Sequence, residues 1–235
     1  MPALKIIRSG SFHPWLGVFE TLCVRGGRPI LLEEHWQSLC RACAELGLKR
    51  PCDFRPMTRE LPKADGRWRW IVDSDGSSHS FQRERPARHV GLSLIPARVR
   101  VGSANLDARY KTLSYLAHWQ ARQENPKGEA LLLNEHGQIT SGARSNLFWV
   151  RGRRVFTPAE ECGCRAGVVR GWVLGESRVK LARSRITALN HADEIFVTNS
   201  MLGICAVTRW RNRRLRVGPV TRMLREQYER MVREG

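Results

Sequence analysis

Two hairpins in quick succession constrain this chain most. Ala130-Leu131-Leu132-Leu133 is an apolar run too short for a helix, Asn134-Glu135-His136-Gly137 is a turn, and Gln138 to Thr140 returns. Leu147 to Val150 then runs out again, and Val155-Phe156 comes back across Arg151-Gly152-Arg153. The second half of the chain must therefore be built on a sheet.

Helical signals stand around these hairpins. Leu113, Leu116, Ala117, Gln120 and Ala121 share one helical face and stop before Pro126. Gly167 to Leu174 reads as a short helix, Ile195 to Thr198 and Ile204 to Trp210 as strands. Thr221 to Val232 reads as an amphipathic helix with Met223, Leu224, Tyr228 and Met231 on one face.

The first half reads differently. Val18 to Val24 is a strand, Gly26-Gly27 a turn, and Ile30-Leu31-Leu32 the returning strand. Glu33 and Glu34 open a helix, where acidic side chains suit the positive end of the dipole. Trp36, Leu39, Cys40, Cys43 and Leu46 recur at helical spacing, and Gly47 ends the run. Arg67 to Val72 is a strand, Asp73-Ser74-Asp75-Gly76 a turn, and Val90 to Ile95 a further strand. Val101 to Asp107 is poor in large apolar residues and reads as a linker. The expected organisation is α/β (α+β) with two lobes, a small N-terminal α+β domain over 1–102 and a larger α/β domain over 108–235.

Composition narrows the function classes. The 235 residues hold 40 Lys and Arg against 22 Asp and Glu, a formal net charge of +18. Only six of the 40 are lysine, and the arginines are spread along the chain without a basic tail. Nucleic-acid binding is therefore disfavoured; the scattered arginines read as genome-wide codon bias, with an electropositive cleft for an anionic substrate as the alternative. No apolar run is long enough to span a bilayer, and Met1-Pro2-Ala3-Leu4-Lys5 shows no signal-peptide pattern. Seven cysteines, an odd number without secretory context, fit a reducing cytoplasm. Cys40 and Cys43 with Cys162 and Cys164 have thiolate spacing, but the first pair lies on the apolar face of its helix, where cysteine acts as a small hydrophobe. No histidines show HxxxH spacing, so no metal site is expected.

Three segments carry the chemistry. They are Lys111-Thr112-Leu113-Ser114-Tyr115-Leu116, Ser141-Gly142-Ala143-Arg144-Ser145-Asn146-Leu147-Phe148, and Cys162-Gly163-Cys164-Arg165-Ala166-Gly167-Val168-Val169-Arg170. In this order they resemble the core of the class IV aminotransferases, the fold-type IV pyridoxal-phosphate (PLP) enzymes. Gly17 to Leu22, His35, and Ala192 to Ser200 extend the resemblance; 52–109 match poorly. It implies a two-lobed, D-amino-acid aminotransferase-like architecture, a homodimer, and PLP at the lobe interface. It also implies that Lys111 forms the Schiff base and acts as acid and base. Phosphate contacts would come from Gly167, Val168 and Val169 and from Thr198, Asn199 and Ser200, since a helix N-terminus offers free N–H groups to an anion.

The chain departs from the family pattern at four ligand-facing positions. Ser141 stands where the family has a glutamate for the pyridine nitrogen. Ser38 stands where it has a phosphate-binding arginine, with Arg41 one turn on as a substitute. Val169 replaces a threonine. Cys23 replaces a carboxylate-binding arginine, leaving Thr21 as a polar substrate contact. A serine cannot hold an ion pair with the ring nitrogen, so the ring withdraws electrons less. That hampers transamination more than elimination. The pattern is most like the aminodeoxychorismate-lyase branch of the family, within folate biosynthesis, which eliminates pyruvate and leaves an aminobenzoate. The alternatives are an amino-acid aminotransferase, or a member with weak or lost PLP affinity that binds an anionic small molecule or a protein. Arg98, Arg109, Arg144 and Arg165 are further candidates for an anion, although each also reads as a surface arginine.

Overall fold

The computed structural model describes residues 16–84 and 91–234. The first segment forms β1 (Gly17–Arg25), β2 (Arg28–Pro29), α1 (Leu32–Glu45), β3 (Gly66–Asp73) and β4 (Gly76–Arg83). They make an antiparallel sheet in the order β2-β1-β3-β4. Along β3, Gly66, Trp68, Trp70 and Val72 are buried and the residues between them are not, which is the period of a half-buried strand. The buried set packs on Trp36, Leu39 and Cys43 of α1, with Trp68 and Trp70 edge to face at 4.9 Å between ring centroids. Gly47 closes α1 with φ +65, a conformation that costs glycine nothing.

The second segment continues with β5 (Leu92–Val101), α2 (Leu106–Arg109), α3 (Leu116–Glu124), β6 (Glu129–Asn134), β7 (Ile139–Gly142), β8 (Asn146–Arg151) and β9 (Arg154–Pro158). It ends with α4 (Val168–Glu176), β10 (Val179–Ala182), β11 (Glu194–Asn199), β12 (Gly203–Trp210), β13 (Arg213–Arg214) and α5 (Pro219–Glu234). Among the described residues these strands form one mixed sheet in the order β10-β9-β8-β11-β12-β5-β6-β7, with β13 paired to β12. Its middle is apolar on both faces. Leu147 and Trp149 of β8 enter one core with Ile195 and Val197 of β11. Phe148 and Val150 enter the other with Phe196, beneath α4 and α5. Phe148 and Phe196 are cross-strand partners with rings stacked at 4.8 Å.

The sequence expectation is corrected at three points. The strand assigned to the first lobe at Val90 to Ile95 runs Leu92–Val101 and pairs in parallel with β12 and β6, inside the large sheet. Pro96, which cannot donate to a ladder, coincides with a register shift between Pro96 and Arg100 that lets the strand continue. Val101 therefore ends a strand and does not open a linker. Second, the strand returning from Gly26-Gly27 is only Arg28–Pro29. Leu31 takes φ 53 and turns the chain straight into α1. Third, the helix read from Leu113 begins at Leu116, so Leu113 precedes it. Val90 and Met1 to Lys5 lie outside the described residues.

Candidate active site

Lys111 is held by backbone bonds to the other sheet. Phe19 N–H donates to the Lys111 carbonyl at 2.8 Å, Leu113 N–H donates to the Gly17 carbonyl at 2.9 Å, and Val18 and Thr112 form an isolated bridge between them. Gly17 is needed for this approach: a Cβ there would lie 2.6 Å from Leu113 Cδ1 and 2.7 Å from the Val72 carbonyl oxygen. The lysine thus sits on a short extended segment fixed to β1, and its side chain is only partly exposed.

Its Nζ donates to Glu20 Oε2 at 2.9 Å. Glu20 is 5% exposed and is the hub of a small polar network. His35 Nδ1 lies 2.9 Å from the same oxygen, and Ser38 Oγ donates to Oε1 at 2.8 Å. His35 Nε2 in turn lies 3.1 Å from Ser200 Oγ. Burial on its own would raise the Glu20 pKa. The Lys111 charge and the bonds from His35 outweigh it and hold the carboxyl well below the usual range. The network ties α1, β1, the lysine segment and the end of β11 to one another.

Behind Lys111 is an inner cavity lined by Ser141 and Gly142 of β7, Gly167, Val168 and Val169, and Thr198, Asn199 and Ser200. Gly167 is the N-cap of α4, and the first-turn N–H groups of that helix have no partners inside it. Asn146 fixes the preceding loop by donating to the Arg165 carbonyl at 2.7 Å, and a Cβ on Gly167 would lie 2.1 Å from Asn146 Oδ1. Thr198 is fully buried, and its Oγ1 has no hydrogen-bond partner. Among the described residues no carboxylate lines this cavity. Glu129 lies behind it, 1% exposed, accepting from Ser145 Oγ at 2.7 Å, and burial raises its pKa.

In front of Lys111 is a wider cleft of about 580 Å³. Its walls include Phe19 and Thr21 of β1, Arg67 and Arg69 of β3, Tyr115, Arg122, Arg144 and Arg165, with Glu84 as a lining acid. Lys111, Arg144 and Arg165 line both spaces and mark the passage between them. Tyr115 closes one side: its hydroxyl donates to the Ala143 carbonyl at 2.9 Å and its ring stacks on His118 at 4.4 Å. Burial, reinforced by the Arg165 charge, pushes His118 down to about 3.

The sequence-derived residues distribute unevenly. Lys111, Ser141, Gly167, Val168, Val169, Thr198, Asn199 and Ser200 converge on the inner cavity. Ser38 lies beside it, bonded to Glu20. Arg41 is exposed; with Ser38 it lines a small space that also touches Lys111, Arg165 and Gly167, and a second one beside Val168. Thr21 lines the cleft, whereas Cys23 lines a separate pocket against Tyr228 of α5. Arg144 and Arg165 reach the cleft; Arg98 is exposed with its N–H on Glu124, and Arg109 is exposed beside the Tyr110 ring. Glu20, Arg67 and Arg69 were not singled out from the sequence. For the arginines the signal was the spacing of two, which puts them opposite Trp68 and Trp70.

Comparison with known proteins gives this arrangement its context. The family model for class IV amino-transferases matches residues 17–210. The chain belongs to that family. The family's enzymes work with PLP. Aminodeoxychorismate lyase of Bacillus subtilis is 26% identical over 226 residues, covering 83% of this chain and 77% of the relative. The crystal structure of 4-amino-4-deoxychorismate lyase from Pseudomonas aeruginosa superposes with a TM-score of 0.81 at 28% identity, covering 96% of this chain and 95% of that one. The branched-chain aminotransferase of Thermoproteus uzoniensis has a TM-score of 0.84 at 22% identity, over 93% and 86% of the two chains, a likeness of fold.

The residues fit PLP. The unpartnered Thr198 hydroxyl and the free first-turn N–H groups of α4 face one cavity, and Lys111 is the amine at its mouth. The donors of Gly167 to Val169 and of Thr198 to Ser200 are neutral, and Arg144 and Arg165 line the same cavity.

Proposed function

We propose that this chain is a PLP-dependent lyase that eliminates pyruvate from an aminodeoxychorismate-type substrate and leaves an aminobenzoate. The observation that carries the reading is the inner cavity, which has Lys111 at its mouth, a hydroxyl at Ser141 and no carboxylate in its lining. PLP, when bound, supplies an electron sink for charge that develops beside the substrate amine. Without an acid against the pyridine nitrogen that sink is shallow. Elimination tolerates this because the leaving group carries the charge away and the product ring becomes aromatic. Transamination must hold the charge longer.

The chain's own residues have clear duties in this reading. Lys111 takes a proton from the substrate carbon and returns one. Glu20 aims the Lys111 side chain, and His35 couples that carboxylate to Ser200 at the phosphate end. Thr198, Asn199 and Ser200 with Gly167, Val168 and Val169 hold the phosphate. Arg144 and Arg165 offer charge to a substrate carboxylate at the passage. Relatives named as lyases support this assignment, the Pseudomonas enzyme along nearly the whole chain. The reading includes two lobes, with β5 counted in the second rather than in the first as the 1–102 and 108–235 division expects, and a homodimer in the cytoplasm. Exposed Leu106, Leu116 and Trp119 support the pairing, and an odd number of cysteines, seven, supports a reducing compartment.

The test is pyruvate release from aminodeoxychorismate beside keto-acid formation from alanine, glutamate and leucine. The expected result is pyruvate release with negligible transamination, and a shift toward transamination in Ser141→Glu. Brisk transamination by the wild-type chain would contradict the assignment.

A further inference from the structure

Arg67, Arg69, Arg144 and Arg165 all line the outer cleft, and each has a buried Nε without a hydrogen-bond partner. Three of them have partners elsewhere on the guanidinium. Arg67 pairs with Glu84 at 2.6 Å, Arg144 donates to the Gly128 carbonyl at 3.1 Å, and Arg165 donates to the Tyr110 carbonyl at 3.2 Å. Arg69 has no such bond. Its guanidinium lies over the Phe19 ring, 5.1 Å from the centroid, and no carboxylate among the described residues pairs with it.

A half-buried guanidinium without a counter-ion is costly to maintain. Burial, reinforced by the neighbouring Arg67 charge, lowers the Arg69 pKa, which is the mark of an unbalanced site. An anion in the cleft would relieve both. The position also discriminates. Arg144 and Arg165 line the inner cavity as well as the cleft, so they stand at the reacting end; Arg69 lines the cleft and not the inner cavity. In the β1–β3 register it is paired with Thr21, which lines the same wall. The strand fixes its backbone, and the Phe19 ring lies against its guanidinium.

We propose that Arg69 is a specificity-determining residue that binds a carboxylate on the far side of a ring substrate from the reacting amine, so that the cleft selects compounds with two carboxylates over compounds with one. This rests on the lyase reading for the use of the cleft. The guanidinium fork matches a carboxylate with two parallel bonds, which makes the selection geometric as well as electrostatic.

Two unreactive probes test it on the full chain incubated with PLP: 5-aminoisophthalate, with two carboxylates, and 3-aminobenzoate, with one. Titration calorimetry should show the dicarboxylate binding about tenfold more tightly to the wild type. Arg69→Gln should bring the two affinities within about twofold and leave 3-aminobenzoate unchanged. Arg69→Lys, which keeps the charge without the fork, should retain a preference of about threefold and guards against a folding failure of the glutamine variant. Equal wild-type affinities, or a preference that survives both substitutions, overturns the proposal. Pyruvate release alongside either of those results removes the carboxylate site alone. A preference that falls as described in a chain that releases no pyruvate upholds the site and removes the lyase reading.

Discussion

The two spaces that meet at Lys111 differ in their lining. The inner cavity belongs to the large sheet and presents hydroxyls, two amides and backbone N–H groups, with Arg144 and Arg165 at its passage to the cleft. The outer cleft leans on the small sheet and presents arginines, four with a buried unpaired Nε. Neutral, rigid donors suit a phosphate that stays in place through many turnovers. Charged donors suit an anion that must be drawn in and released. The contrast also explains how the chain can do without an arginine at position 38: Ser38 serves Glu20, and Glu20 aims the lysine.

Lys111→Ala breaks the comparison most completely, because it removes the amine at which both spaces meet. Turnover should fall by roughly 10³-fold, the scale of a lost general acid and base, while circular dichroism keeps the wild-type spectrum. A variant with near-normal turnover would mean that the chemistry lies elsewhere.

Glu20→Gln is next. It leaves a buried histidine and the lysine without their charged acceptor, and should destabilise the fold by about 3 kcal/mol in urea titrations. The pH dependence has a definite sign. The folded-state pKa of Glu20 lies below its ordinary value of 4.5, so its stabilisation is complete above that value and is lost as the pH falls beneath it. Between about pH 5 and about pH 3, wild-type stability should drop more steeply than that of Glu20→Gln. Parallel curves would show that the carboxylate contributes nothing as an ion.

Ser38→Arg sharpens the contrast by putting a charge back on the phosphate side. PLP affinity should rise about tenfold, near 1.5 kcal/mol, by equilibrium dialysis. Unchanged affinity would place the phosphate away from position 38. The smallest expected effect is that of Thr198→Val. Removing a buried hydroxyl without a partner should leave the PLP-free chain equally stable or better by up to about 1 kcal/mol, and should weaken PLP by about 1 kcal/mol. Opposite signs in the two measurements are the signature; a loss in both would mean that Thr198 is a packing residue.

How much of this was legible in the sequence varied with the kind of interaction. The hairpins of β6 to β9, the apolar face of α1 and the glycine at the start of α4 are local patterns and read correctly. β4 is missing from that reading because Gly76–Arg83 is exposed along nearly its whole length and has no apolar alternation to detect. β5 was placed in the wrong sheet because sheet membership depends on partners more than 100 residues away, such as Trp210 against Leu94. The inner cavity was legible as motif segments. The outer cleft was not, since nothing in Arg67-x-Arg69 distinguishes a cleft wall from a solvated face. Glu20 was invisible for a related reason: its partners Lys111, His35 and Ser38 come from three separate segments.

The most direct test of the central claim is where PLP attaches. The chain is saturated with PLP, reduced with borohydride, digested and mapped by mass spectrometry. A pyridoxyl group is expected on Lys111, with much weaker labelling of Lys49, Lys63, Lys127 and Lys180. A saturated sample with no label at Lys111 would contradict it.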